Sequence, residues 1–122
     1  MAISKIKNTG LENSTITING SQVSMGGSTT ISAGTDWQSV ITADGSTFNT
    51  AVAGEGYFID TTSAAHTITL PASPSAGDEV TIVDYAGTFG TNNVTVGRNG
   101  SNVDGSANNA TLSTNRENVR FV

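Results

Sequence analysis

The chain has 122 residues, 35% of them hydrophobic and only 12% charged, with a formal net charge of −5 and no cysteine. That length suits one domain and is short for two cores. The five basic residues are scattered, which argues against phosphate-backbone binding; the missing cysteines exclude disulfides and thiolate metal sites.

No apolar run is long enough for a signal peptide or a bilayer span, so the expectation is a soluble chain made in a cytoplasm, with no nucleic acid partner and no membrane insertion. The remaining composition is Ser, Thr, Asn and Gly, which suits thin β-structure coated with hydroxyls and amides. A core so thin is marginal in a single chain, and burying one face against a neighbouring subunit is the simplest remedy. An oligomer is therefore expected.

Met1–Gly10 is polar with apolar points only at Ile3 and Ile6, and reads as an arm. Ile16 and Ile18 then alternate with Thr15 and Thr17, Asn19-Gly20 supplies a tight turn, and Val23 and Met25 alternate again before Gly26-Gly27. This is a hairpin with a short third strand at Thr29–Ile31. A ribbon of that kind is unstable alone and needs the main domain or copies of itself. Ser32–Asp36 is rich in turn formers and marks a soft boundary, giving an N-terminal arm and hairpin over 1–35 and a β module over 36–122.

The module opens on the only tryptophan, Trp37. Asp44-Gly45 is a turn, and Phe48–Val52 reads as a short strand or one helical turn. Four β-like runs follow: Tyr57–Asp60, His66–Leu70, Glu79–Asp84 and Asn93–Val96. Ile68 and Leu70 face one way with Thr67 and Thr69 the other, and Val80, Ile82, Val94 and Val96 repeat the period around Thr81 and Thr95. Pro71 and Pro74 cannot donate to a central ladder, so the segment between the second and third runs is a forced connection at a sheet edge. Asn99-Gly100 and Asp104-Gly105 are turns, and Ala110–Ser113 and Asn118–Val122 are final strands, the last reading as an edge that further chain or a partner would continue. No amphipathic helix of useful length is present. The pattern is all-β, a meander or a small β-sandwich or jelly-roll-like domain.

Candidate chemistry is sparse. His66 is the only histidine, so a triad would have to recruit it with Ser63 and Asp60, yet no nucleophile-elbow pattern accompanies it; a polar residue at a strand start is the simpler expectation. Asp78 and Glu79 are adjacent and point to opposite faces of a strand, so they form no acid–base pair. Asp60 and Asp84 could approach across a sheet as a calcium site or a glycosidase-like pair, against the alternative of plain solvated acids. Gly54-Glu55-Gly56 and Gly26-Gly27 open no helix and carry no following Lys, and read as turns. The Asn-x-Ser/Thr triplets are chance products of composition. Trp37, Tyr57, Tyr85 and Phe89 could stack on a sugar ring, although so few aromatics are expected mostly in the core or a subunit interface. No catalytic residue, cofactor or metal is assigned. Core or interface positions are Ile16, Ile18, Val23, Trp37, Tyr57, Ile68, Leu70, Val80, Ile82, Val94, Val96 and Phe121.

Two stretches carry a resemblance. GLENSTITINGSQVSMGGSTTI resembles the repeated segment of short strand, Asn-Gly, short strand and Gly-Gly found in virion appendage proteins of tailed phages, those of marine cyanophages above all. Tyr57–Gly100, with its Tyr-x-Ile-Asp, Ile-Thr-Leu-Pro-Ala, Gly-Asp-x-Val and Asn-Asn-x-Thr-Val pieces, is similar to a β module common in phage tail fibres and capsid-decorating proteins. Together they span more than half of the chain. The resemblance implies a homotrimeric, non-enzymatic structural protein of the virion. It would attach to other virion proteins through its N-terminal arm, as a tail fibre or appendage or as a capsid decoration (cement or head-fibre) protein, and could meet a host surface glycan.

Two further classes stay in view. A carbohydrate-binding module would show an exposed aromatic pair, Trp37 with Tyr57 or Tyr85. A polysaccharide-cleaving enzyme using Asp60, Asp84 or Glu79 would show two carboxylates about 5–10 Å apart in a cleft.

Overall fold

The computed structural model describes residues 15–18, 21–24 and 34–122 of the chain, which divides into two compact units, Met1–Ala33 and Gly34–Val122. In the first, β1 (Thr15–Ile18) pairs antiparallel with β2 (Ser21–Ser24), with Ile16 opposite Val23 and Ile18 opposite Ser21. The hairpin expected from the alternation is therefore present. The core or interface assignment of Ile16, Ile18 and Val23 concerns side chains outside the described residues, as do the arm, Gly26-Gly27 and the run at Thr29–Ile31.

The second unit carries β3 (Asp36–Trp37), β4 (Ile41–Thr42), β5 (Asn49–Thr50), β6 (Glu55–Asp60), β7 (His66–Thr69), β8 (Val80–Asp84), β9 (Val94–Gly97), β10 (Ala110–Leu112) and β11 (Asn118–Phe121). No helix occurs among the described residues, and the strands form two sheets: the molecule is an all-β, sandwich-like domain. The five-stranded sheet runs β11-β8-β6-β3, with β4 also on β6, and the four-stranded sheet runs β10-β9-β7-β5.

The connectivity departs from the expected meander. From β4 to β9 the chain alternates between the two sheets at every strand, so neighbours in a sheet are parallel: β4 with β6, β6 with β8, β5 with β7, β7 with β9. Parallel neighbours need a crossover, and here the crossover is a strand of the facing sheet rather than a helix. The result is a flattened coil of three turns. Its first turn is 34–54. The last two strands reverse direction, β10 pairing antiparallel on β9 and β11 on β8, and close the far edge of each sheet. The Asn99-Gly100 and Asp104-Gly105 pairs sit in the β9–β10 connection, all four residues at positive φ as tight turns require. Every connection from β4 to β9 carries the chain across to the facing sheet.

The core lies between the sheets. Tyr57, Ile59, Val80 and Ile82 enter it from one, Ile68, Val94, Val96 and Leu112 from the other, and Ala51 and Phe89 complete it, with Leu70 and Phe121 packed partly buried against it. Each is an inward position of the period-two alternation, with Thr67, Thr69 and Thr95 outward. Trp37 is the exception: it is 47% exposed and lies outside this core. Gly54 turns at positive φ as expected, but Glu55 and Gly56 belong to β6 rather than to a turn.

Candidate functional site

The outer face of the five-stranded sheet carries the feature that needs explaining. Trp37 stacks on Phe58 with ring centroids 4.6 Å apart and planes 23° from parallel, and Phe58 meets Tyr85 edge-on at 6.4 Å. Tyr85, like Trp37, is largely exposed. The row arises from the alternation of β6, in which Gly56 and Phe58 point outward while Tyr57 and Ile59 point inward.

Gly56 has a steric reason to be glycine. A Cβ there would come within 2.6 Å of Trp37 Cε3 and of Thr35 Cγ2, closer than real side chains allow. The indole therefore rests over a position with no side chain. It stacks on Phe58 and is 47% exposed.

A lateral row crosses the sheet at this level: Trp37 beside Gly56, Gly56 beside Thr81, Thr81 beside Arg120. With strands about 4.8 Å apart, Trp37 and Arg120 are about 14 Å apart at the backbone. Between them lie Gly56, covered by the indole, and the buried Thr81. A polar cleft of about 330 Å³ is lined by Gly34, Thr35, Gly54, Glu55, Glu79, Thr81 and Arg120, without Trp37 or Gly56. The Arg120 guanidinium lies 3.6 Å from the Glu79 carboxylate, both exposed, so the pair adds little stability.

Tyr57 is not part of this surface. Its ring is in the core, and its hydroxyl donates to the Glu55 carboxylate and accepts from the Val52 amide at 2.8 Å. Burial first, and then the Glu55 carboxylate, push its pKa up to about 12. Of the aromatics weighed for sugar stacking, Tyr57 and Phe89 are thus committed to the core, and Trp37 and Tyr85 stand on the outer face, joined by Phe58.

The carboxylates weighed for acid–base or metal chemistry have structural partners. Asp84 is buried at the end of β8 and accepts backbone N–H bonds from Gly87 (2.8 Å), Thr88 (3.0 Å), Phe89 (3.2 Å) and Arg116 (2.8 Å). Burial by itself would raise its pKa; the four amides outweigh that and hold it below the usual carboxylate range. Asp84 thereby seats Phe89 in the core and ties the 85–93 connection to the loop before β11. Asp60 instead accepts from the Thr62 amide at 2.9 Å, and hydrogen bonding to Thr62 lowers its pKa. Among the described residues, no group of three or more His, Cys, Asp or Glu is placed to hold a metal ion.

His66 begins β7, as its position in the sequence suggests, but it points inward. It is 2% exposed, and neither ring nitrogen has a hydrogen-bond partner among the described residues; the nearby Asn49 Oδ1 is likewise buried and unpaired. Burial lowers its pKa, and the Asp44 carboxylate opposes that more weakly. The alternation that puts Ile68 and Leu70 inward also puts His66 inward; what it did not show is that the ring is buried with no partner among the described residues.

Gly56 was read as part of a turn, and Phe58 and Arg120 were not singled out by the sequence. The alternation Gly56-Tyr57-Phe58 carried the signal for Gly56 and Phe58. Arg120 needed the β8–β11 register.

No protein-family model matches the chain, and no curated protein matches it.

Proposed function

We propose that the chain is a non-enzymatic structural module that assembles with copies of itself, a trimer of the kind that builds tail fibres and appendages of tailed phages, with capsid decoration as the neighbouring use of the same module. It acts mechanically. A coil of parallel strands gives a stiff body, and apolar contact between copies supplies the burial that one thin core lacks.

The observation that supports this reading is the placement of exposed apolar side chains in the first turn of the coil. Val40, Phe48 (59% exposed) and Val52 (55% exposed) all lie there, beside the outermost strands of both sheets, while the later turns keep their large aliphatics inside. A terminal turn that exposes apolar groups and short, incompletely paired edge strands is a surface that another chain would cover.

Light scattering tests the proposal on the full chain and on a chain lacking residues 1–31. The expected mass is that of a trimer for both, and Phe48→Ser with Val52→Ser is expected to shift the full chain toward monomer. A monomer at every concentration overturns the proposal.

A further inference from the structure

We propose that His66 is an acid-sensing latch on the first turn of the coil: the turn closes over the ring while it is neutral and opens when the ring takes up a proton. This concerns how the domain responds to pH, goes beyond the assembly reading and does not depend on it.

The anomaly is a sealed histidine. Its ring is 2% exposed, and among the described residues neither nitrogen has a hydrogen bond; Asn49 Oδ1, on the neighbouring strand β5, is buried and unpaired as well. Buried polar atoms are nearly always satisfied, so three unsatisfied ones on adjacent strands call for a reason. The first turn supplies the lid. The Phe48 ring, itself largely exposed, is centred 6.4 Å from that of His66. The 44–47 turn lies against the connection before β7, where a Cβ on Gly45 would meet the Ala64 Cβ at 3.4 Å. A neutral imidazole tolerates this seat. An imidazolium does not, because both N–H groups must then donate and a charge buried without a partner costs several kcal/mol.

The surroundings decide which way the charged ring goes. β5 brings Asn49 and Thr50, β9 brings Val94 opposite His66, and the 61–65 connection has no ionisable side chain. Asp60, at the head of that connection, is bonded to the Thr62 amide, and Asp84 to its four amides. Among the described residues, the charged group that acts on His66 is Asp44, whose attraction is outweighed by burial. Asp44 is at the surface and accepts from the amides of Thr47 (2.7 Å) and Ser46 (2.8 Å). Those bonds hold its pKa well below the usual carboxylate range, so it is an anion wherever the ring titrates. A protonated ring therefore gains by moving outward, past Phe48, to Asp44 and water.

The first turn is also the part that yields. Its strands β3, β4 and β5 are two residues each, and each pairs at two positions, whereas β6 with β8 and β7 with β9 pair at four. On the other side of His66, the Thr61 hydroxyl bonds that of Thr88 at 2.9 Å and the Asn92 amide donates to the Thr61 carbonyl at 2.9 Å. Local opening follows the weakest pairing, so protonation lifts the first turn and leaves the longer strands in place. Val40, Phe48 and Val52 ride on that turn, so acid would also loosen contacts between copies; this consequence alone rests on the assembly reading.

Hydrogen exchange on the full chain, read by mass spectrometry and corrected for the intrinsic effect of pH, tests this between pH 7.5 and 5. The open form takes up a proton below about pH 6.5 and the closed form resists it, so opening is favoured by up to about tenfold per pH unit below that value. Peptides covering 40–51 are expected to lose about thirtyfold in protection by pH 5, while those of β8 and β9 keep theirs. Stopping at pH 5 leaves Asp84 ionised, as its depressed pKa requires. His66→Leu and His66→Gln are each expected to flatten the response; the glutamine keeps a polar, non-titrating side chain should leucine alter the packing. The inference is overturned if protection of 40–51 is flat in the unaltered chain, if the loss extends equally to β8 and β9, or if both variants retain it. Light scattering on the same samples keeps the two proposals apart. A monomer whose first turn opens at pH 5 fails the assembly reading alone, and a trimer whose first turn stays closed fails this one alone.

Discussion

The two outer faces of the domain are built on the same period-two alternation and differ in what they present. The four-stranded sheet turns threonine outward: Thr111, Thr95 and Thr67 lie side by side across β10, β9 and β7, and Thr50 lies beside Thr69. The five-stranded sheet turns out Trp37, Gly56 and Phe58, with Thr81 and Arg120 alongside. Threonine is what an exposed strand position prefers by its β-branched backbone fit and its hydroxyl, so the first face needs no explanation beyond solvation. The second face departs from that preference at three neighbouring positions, and the departures support one another: the glycine seats the indole, and the indole stacks on the phenylalanine. A cluster of mutually dependent exceptions is the stronger sign of use.

Given that difference, the aromatic face should be sensitive to its supports and the threonine face should not. The largest effect is expected at Asp84, which anchors the connection carrying Tyr85. Asp84→Ala leaves four backbone amides without their acceptor and should cost about 4 kcal/mol in a urea titration. The same group sets an acid limit. Because its folded pKa is depressed, its stabilisation is complete above the unfolded value of about 4 and is lost as pH falls through the lower folded value. A urea midpoint that stays flat from pH 5 down to pH 2 would contradict this.

Gly56→Ala comes next. The added Cβ meets Trp37 Cε3 and Thr35 Cγ2 at 2.6 Å, so the indole has to move, at a cost of about 2 kcal/mol and with altered Trp37 emission. Unchanged emission would show that Gly56 does not seat the ring.

His66 tests the interior between the faces. Its folded pKa is lowered by burial, so the folded state accepts a proton less readily than the unfolded chain; stability is complete above about pH 6.5 and declines as pH falls below it. His66→Leu should remove that slope between pH 6.5 and 5 and gain about 1 kcal/mol at neutral pH, since the ring has no hydrogen bond among the described residues to lose. A slope identical to that of the unaltered chain would place the titration elsewhere. The smallest effect belongs to the threonine face: Thr95→Val should change stability by less than about 0.5 kcal/mol and leave Trp37 emission as it was.

Much of the strand content was legible because alternation is a local property. Thr67-Ile68-Thr69 and Thr95-Val96 state which side is inward wherever their sheet lies, and Ile68, Val80, Ile82, Val94 and Val96 are all in the core. Alternation is silent on direction, however. A strand that pairs parallel and one that pairs antiparallel have the same period, which is why a meander and a coil of alternating sheets read alike before the registers are known. Trp37 was legible as important and not as exposed, because a lone large aromatic in a thin protein is the natural core candidate. Asp84 looked like a free acid because its four partners are backbone amides, and amides leave no mark in a sequence.

The sequence by itself determined the secondary-structure class, the inward set of β7 to β9, the turns at Asn99-Gly100 and Asp104-Gly105, and the exclusion of thiolate chemistry, because each depends on residue type and near neighbours. Only the tertiary structure decided that successive strands change sheets, that His66 has no partner among the described residues, and that Trp37, Gly56, Thr81 and Arg120 form one row. Those depend on register between strands far apart in the chain, and register is fixed by the packing of the whole core, not by any one strand.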